Sequence, residues 1–231
     1  MYDLAVAKST ESIDDYLKAI LELAGDEDGR ATSNALARQL GISAASVTGM
    51  LRKLATRRPT LIDYKKHHGA RLTQEGQRRA MRVIRRHRLM ELFLCEVLGF
   101  SWDEVHEEAE RLEHVMSQKL ENRIAEKLRH PEFDPHGQVI PRKDGTVAGI
   151  QAVPLNEISP GETAIISSVS DHEPEVLRDL ATLGLTPGRR LTVMDAACVD
   201  GPITLRLGAK KGHRDLSLGR KLARSVLVER S

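Results

Sequence analysis

Residues 101–117, SWDEVHEEAERLEHVMS, constrain the fold of this chain more than any other stretch. On a helix turning about 100° per residue, Val105, Ala109, Leu112 and Met116 fall on one apolar stripe that a fold has to bury. Glu104, Glu107, Glu108 and Arg111 fall away from it as a solvated face. The sector beside the stripe carries His106, Glu110, Glu113 and His114, at spacings of four, three and one. Upstream, His87 and Glu91 form a second pair four residues apart. Two readings fit these edges. They are metal-ligating, because imidazole and carboxylate are the donors that divalent ions take, or they are solvated Glu-rich faces on which histidines happen to sit.

The rest of the chain narrows the setting. At 231 residues there is room for one large or two small domains with a real core. No stretch approaches the ~20 apolar residues needed to span a bilayer, and the first residues lack the basic and apolar pattern of a secretory signal. The two cysteines, Cys95 and Cys198, are far apart and in no CxxC motif, so a reducing cytoplasm is the expected location. The net charge of +2 hides a strong pattern. Between Leu51 and Met90, Arg52, Lys53, Arg57, Arg58, Lys65, Lys66, Arg71, Arg78, Arg79, Arg82, Arg85, Arg86 and Arg88 stand against only Asp63 and Glu75. That block suits an anionic partner such as nucleic acid, although Arg78–Arg88 also reads as a solvated basic helix.

In chain order, residues 10–24 read as a helix capped by Thr10 or Ser12, with Ile13, Leu17, Ile20, Leu21 and Ala24 as its apolar stripe. Asp14 and Asp15 then lie in its first turn, where acids favour a helix N-terminus. Residues 32–58 read as a helix-turn-helix: Thr32 caps a helix through Leu36, Gly41 stops it, Ile42 anchors the turn, and Ser43 caps a second helix with Val47, Leu51 and Leu54 inside. Small residues at the start of that second helix, Ala44, Ala45, Ser46 and Thr48, suit docking in a DNA groove. Leu61–Tyr64 and Ala70–Thr73 then form a hairpin with a basic tip, a wing whose Lys65, Lys66 and Arg71 would reach phosphates. Ser43 and Arg52, and Thr32 at the first helix, complete the DNA-facing candidates. His67 and His68 read as exposed wing residues.

A long helix follows over 73–98, and a second runs from Ser101 to about Arg129, with Met116, Leu120, Ile124 and Leu128 extending its stripe. Residues 130–150 are rich in Pro and Gly and read as a linker. In it, Asp134 and His136 are two further possible ligands, with a polar loop as the preferred reading. From about residue 151 the pattern becomes short β runs, TAIISSV, RLTVMDA, ITLRL and SVLVER, with one helix near 173–183. Their spacing suggests a small barrel, and no nucleotide loop or nucleophile motif accompanies it.

RRHRLMELFL followed by VHEEAERLEHVMS, behind a winged helix-turn-helix and before a β-rich end, resembles the diphtheria-toxin-repressor (DtxR/MntR) family of metal-dependent regulators over nearly the whole chain. The resemblance implies a mainly α fold with a C-terminal β domain. A winged helix-turn-helix DNA-binding domain would occupy residues 1–74, and a helical metal-binding and dimerisation domain 75–140. After a Pro/Gly linker, a Src-homology-like β-barrel would occupy 151–231. It also implies a homodimer on a palindromic double-stranded operator, two metal sites per subunit, and repression of metal-transport genes. Carried over by residue, the primary site is Asp15, Glu110, Glu113 and His114, which His87 joins in the manganese branch. The ancillary site is His87, Glu91 and His106 with a barrel carboxylate, Glu173 or Asp171; Asp134 and His136 stand at further linker positions. Iron-responsive members have Met and Cys where this chain has Asp15 and Glu110. Carboxylates there favour a harder ion, so Mn(2+) is expected, with Fe(2+) as the alternative. Lys18 stands where some manganese regulators have a second acid, and Gly49 where the iron repressors have Gln. A helical di-metal enzyme is the competing class, but Arg111 and Asp103 stand where its Glu-x-x-His motifs need Glu.

Overall fold

The computed structural model describes residues 4–24, 29–170, 173–196, 201–208 and 213–231, with side chains from residue 11 onward. The chain forms two compact units. The first comprises Met1–Arg86, Glu113–Met116 and Pro141–Val147; the second comprises His87–Leu112, Ser117–Ile140 and Ala148–Ser231.

In the first unit, α1 spans Leu4–Leu23. It begins well before the expected cap because nothing between residues 4 and 12 breaks a helix. Asp14 and Asp15 therefore lie in its interior, and contact with the helix N-terminus does not explain them. Helix α2 (Ser33–Gln39) is capped by Thr32, whose Oγ1 accepts from the Ala35 N–H at 3.2 Å. Helix α3 (Ala44–Ala55) is capped by Ser43 through the Ser46 N–H at 3.1 Å. Ile13, Leu17, Ile20, Leu36, Val47, Leu51 and Leu54 close into one core. Ile42 is not an anchor: it is 41 % exposed at the turn.

Strands β1 (Ile62–Lys65) and β2 (Gly69–Leu72) pair antiparallel, with Lys65 opposite Gly69. The hairpin is fastened to the helices in two ways. Ala31 and Ala70 exchange both backbone hydrogen bonds, at 2.8 and 2.9 Å. Gly69 allows this approach, since its φ is +88° and a Cβ there would overlap the Ala31 carbonyl. Arg30, which is buried, donates to the Asp63 carbonyl, the Gly69 carbonyl and the Asp63 carboxylate.

Helix α4 (Gln74–Leu98) begins at Thr73, whose Oγ1 accepts from the Gly76 N–H. Its arginines are not a uniform solvated face. Arg79 pairs with Asp14 at 2.5 Å, Arg85 is buried on the Pro141 carbonyl at 2.7 Å, and Arg88 holds the Val139 carbonyl and Gln138. Arg78 and Arg82 are exposed and share Glu75.

The expected helix from 101 to 129 is two helices, α5 (Val105–Glu113) and α6 (Gln118–Lys127). Ser101 starts a turn rather than the helix itself, accepting from the Glu104 N–H through its carbonyl at 3.1 Å. Ser117 caps α6 through the Leu120 N–H at 3.2 Å, which ends helical continuity after Glu113. Val105, Ala109 and Met116 are buried as the stripe requires, but Leu120 is exposed.

The C-terminal part of the second unit is an antiparallel sheet in the order β3-β8-β4-β5-β6-β7. Its strands are β3 (Val153–Pro154), β4 (Thr163–Val169), β5 (Arg190–Ala196), β6 (Ile203–Leu207), β7 (Arg214–Leu218) and β8 (Val226–Arg230). Helices α7 (Pro174–Leu183) and α8 (Arg220–Arg224) complete it. Alternate residues of the strands, among them Ile166, Leu191, Val193, Leu205 and Val228, build its core with Leu177 and Leu180 of α7. Among the described residues, no helix is long and apolar enough to cross a membrane.

Candidate metal centre and nucleic-acid interface

Two groups of donors form, one in each unit. In the first unit, Asp15 from the middle of α1 meets Glu113 and His114 from the end of α5. Asp15 Oδ1 lies 2.9 Å from His114 Nε2, and Glu113 Oε1 lies 3.6 Å from the same nitrogen. One donor atom of each residue lies within 4.8 Å of the others. The other Glu113 oxygen faces Lys18 Nζ at 3.6 Å, one turn along α1 from Asp15. The hydrogen bond that His114 donates to Asp15, opposed by burial and helped by the charges of Glu113, Asp15 and Asp14, raises the His114 pKa. Glu110, one turn before His114 in sequence, is exposed.

In the second unit, Glu91 of α4 is fully buried and serves two sides. Its Oε1 lies 2.9 Å from His87 Nε2 and 3.2 Å from His106 Nδ1, and those two nitrogens are 3.1 Å apart. Its Oε2 faces His136 Nδ1 at 3.9 Å. Asp134, 5 % exposed, and His136, fully buried, are brought in with it. The polar-loop expectation for these two residues is thus wrong. The Asp134 Oδ1 atom accepts from the His136 and Gln138 N–H groups, which turns the loop inward. Burial works against charge on Glu91, but the charge of His87, the hydrogen bonds of His106 and His87 and the nearby His136 hold its carboxyl well below the usual range. Burial and the Glu91 charge push Asp134 up to about 7. Burial opposes charge on His136, yet Glu91 and Asp134 raise it to about 9.

The donor chemistry fits a divalent cation. Glu91 Oε2, Asp134 Oδ2 and His136 Nδ1 are buried with no partner at hydrogen-bond length among the described residues, Asp134 Oδ2 facing Arg88 Nε at 3.6 Å and Glu91 Oε2 facing His136 Nδ1 at 3.9 Å, and a bound cation would satisfy such buried polar atoms more closely. The His114 Nδ1 atom is in the same position. Glu173 does not join either group: it is exposed at the start of α7 and pairs with Lys221 at 2.9 Å. Asp171 lies outside the described residues.

Several contributors escaped the sequence reading. Lys18 is legible only as a cation on the Asp15 face of α1. Trp102 acts through its carbonyl, and Arg30 through three contacts to the wing, neither of which leaves a sequence pattern. Of the residues expected to face DNA, Ser43, Ala45, Ser46, Arg52, Lys65 and Lys66 are exposed and Ala44 and Thr48 half-buried. The Thr48 hydroxyl donates to the Ala44 carbonyl, Ser43 and Ser46 share a hydrogen bond, and Arg71 is held by Asp63 at 3.0 Å. Thr32 is exposed but occupied as a cap.

Comparison with known proteins supplies the rest. The domain described as Iron dependent repressor, N-terminal DNA binding domain matches residues 8–70. Iron dependent repressor, metal binding and dimerisation domain matches 73–142, and the FeoA domain matches 153–230. The Iron-dependent repressor IdeR of Mycobacterium leprae (strain TN) is 29 % identical over 228 residues, covering 93 % of this chain and 95 % of that one. A solved manganese-dependent transcriptional repressor in complex with manganese has a TM-score of 0.87 at 36 % identity, over 95 % of this chain and 100 % of that chain. The structure of the manganese regulator SloR has a TM-score of 0.75 at 30 % identity, over 95 % and 98 %. With DNA-binding, divalent-metal-binding and dimerisation regions in this order, the chain belongs to the diphtheria-toxin-repressor (DtxR/MntR) family of metal-dependent transcriptional repressors, not to an enzyme class.

Proposed function

We propose that this repressor is activated by manganese(II), binds palindromic operators as a homodimer in the cytoplasm, and controls metal-ion transport genes. Asp15, Glu113 and His114, with Glu110 as the fourth ligand implied by the resemblance, hold one ion. His87, Glu91, His106, Asp134 and His136 hold a second. The observation that carries the reading is the 2.9 Å approach of Asp15 Oδ1 to His114 Nε2. It joins the helix that packs under the reading head to the segment Glu113–Met116, which the chain lends to the first unit from between α5 and α6.

A bound divalent ion would supply two positive charges to these carboxylates. Without them Asp15 and Glu113 repel, and their mutual position depends on the partial charge of His114 and on Lys18. With the charge neutralised, α1 and the α5 terminus stay together, which favours the conformation able to bind two half-sites. Ser43, Ala44, Ala45, Ser46, Thr48 and Arg52 then face the major groove. Lys65, Lys66 and Arg71 face phosphates.

The oxygen- and nitrogen-only donors support manganese, since a sulfur ligand would draw the softer later metals. Iron(II) is the second reading, favoured by the iron-dependent repressors among the relatives. The test uses chelator-treated protein and a pool of genomic fragments, with no metal, manganese(II) or iron(II) added. Selective retention with manganese is the expected result, and Asp15→Met is expected to shift the response toward iron. Equal retention with and without metal would overturn metal activation, and an unchanged manganese-to-iron ratio in Asp15→Met would overturn the role of that ligand.

A further inference from the structure

We infer that the C-terminal sheet serves the second metal group by position: it fixes the His136 loop, and Trp102 acts as the positioning residue between the two. This rests on reading His87, Glu91, His106, Asp134 and His136 as a metal-binding group.

His136 is fully buried and its ring makes two contacts with Trp102. The Nε2 atom lies 2.7 Å from the Trp102 carbonyl, and the indole stacks on the imidazole at 5.8 Å between centroids, 29° from parallel. A carbonyl can only accept, so Nε2 carries the hydrogen. In the neutral ring, the form that a metal ligand takes, the lone pair is therefore on Nδ1, the atom that faces Glu91 Oε2. A histidine whose distal N–H is held by a backbone carbonyl is oriented and kept in one tautomer as a ligand. Trp102 thus selects Nδ1 as the donor.

The sheet holds both partners of this pair. The Val169 N–H, at the end of β4, donates to the His136 carbonyl at 2.9 Å. Gly137 has φ +80°, and a Cβ there would overlap the Ser167 carbonyl of β4, so the loop lies against the strand with no space for a side chain. The Trp102 ring packs against the core of the sheet, and Arg178 of α7 holds Asp103, the next residue, at 3.2 Å. The sheet thus positions His136, and the second group keeps this donor only while β4 and the His136 loop are together.

Trp102 is the one tryptophan of the chain, so its emission reports on His136 directly. The full-length protein is titrated with manganese(II), following ion uptake by equilibrium dialysis and tryptophan emission in parallel. In the wild type two ions are expected, and emission changes with one of them. In Asp15→Asn the emission change persists while one ion is lost. Gly137→Ala and Trp102→Ala are each expected to weaken the emission-linked ion, or in Trp102→Ala the corresponding ion, at least about tenfold with the other ion unchanged, whereas Trp102→Phe retains it because a ring still covers His136.

Glu91→Gln separates the premises. If it binds as many ions as the wild type, the reading of the group as a metal site fails, and the inference with it. If Glu91→Gln loses an ion but Gly137→Ala binds both normally, the sheet has no positioning role. Should both loop variants misfold, the wild-type titration still decides: emission that is indifferent to every bound ion overturns the inference, and emission that follows only the ion retained by Asp15→Asn supports it.

Discussion

Asp63 illustrates how much of the reading head depends on one side chain. Its carboxylate accepts from Arg30 at 2.6 Å and from Arg71 at 3.0 Å, so a buried cation and an exposed one converge on the first strand of the wing. Burial alone would raise the Asp63 pKa, but the hydrogen bonds and charges of Arg30 and Arg71 hold it below the ordinary value. A carboxyl depressed in the folded state stabilises it fully above the unfolded pKa, about 4 for Asp, and this contribution is lost as the pH falls through the lower folded value. Asp63→Asn should therefore loosen the wing at neutral pH, and the difference from the wild type should start to shrink below about pH 4 and vanish once the pH is below the depressed folded pKa. Amide exchange at Ala31 and Ala70, whose paired hydrogen bonds tie the hairpin to the helices, measures it. Equal protection of the two proteins at pH 7 would show that Ala31–Ala70 and Gly69 suffice without the carboxylate.

At the scale of elements, local chemistry explains what could be read and what could not. The Thr32 and Ser43 caps, the Gly41 stop and the stripe Val47–Leu51–Leu54 are encoded within a few residues, and α2 and α3 form as those signals direct. Strands β4, β5 and β6 also coincide with apolar alternation in the sequence. Strand β7, RDLSL, was not legible because its charged and hydroxyl residues show only Leu216 and Leu218 to the core. The single helix expected across 101–129 failed because Val105 and Met116 extend one apolar stripe over two helices, while Ser117 breaks the backbone between them. For the donors, helical spacing revealed His87, Glu91, His106, Glu113 and His114. Asp15 needed the resemblance, and the Asp134–His136 loop needed tertiary contacts, since its partners Glu91 and Trp102 come from distant parts of the chain. The Ser117 cap makes a direct test. Ser117→Ala removes the acceptor of the Leu120 N–H and should cost about 1 kcal/mol, read as faster amide exchange in the first turn of α6 with the sheet unaffected. Unchanged exchange there would mean that burial of Glu121, Ile124 and Ala125 alone sets the start of the helix.

For the whole molecule, the second unit leaves large apolar side chains in water that a lone chain has no reason to expose. Val97 is 40 %, Leu98 57 % and Phe100 38 % exposed at the end of α4, and Leu120 on α6 is 47 % exposed. All four fall within the region matched by the metal-binding and dimerisation domain. Burying a Leu or Phe is worth roughly 1.5–3 kcal/mol each, so a symmetric contact that uses every one of them twice gains enough to hold two chains together against the cost of association. A carboxylate introduced there would have to be desolvated in both copies, facing its own mate. Leu98→Glu is accordingly expected to convert the dimer to monomer in sedimentation, and Leu120→Glu to do so if α6 shares the interface. Neither substitution touches Asp15, Glu91, Glu113, His114 or His136, so each monomer should still take up divalent metal, while binding to a palindromic operator falls at least about 100-fold because the two reading heads no longer arrive together. A Leu98→Glu protein that remained dimeric and bound its operator normally would place the contact elsewhere in the chain and leave these side chains without a partner.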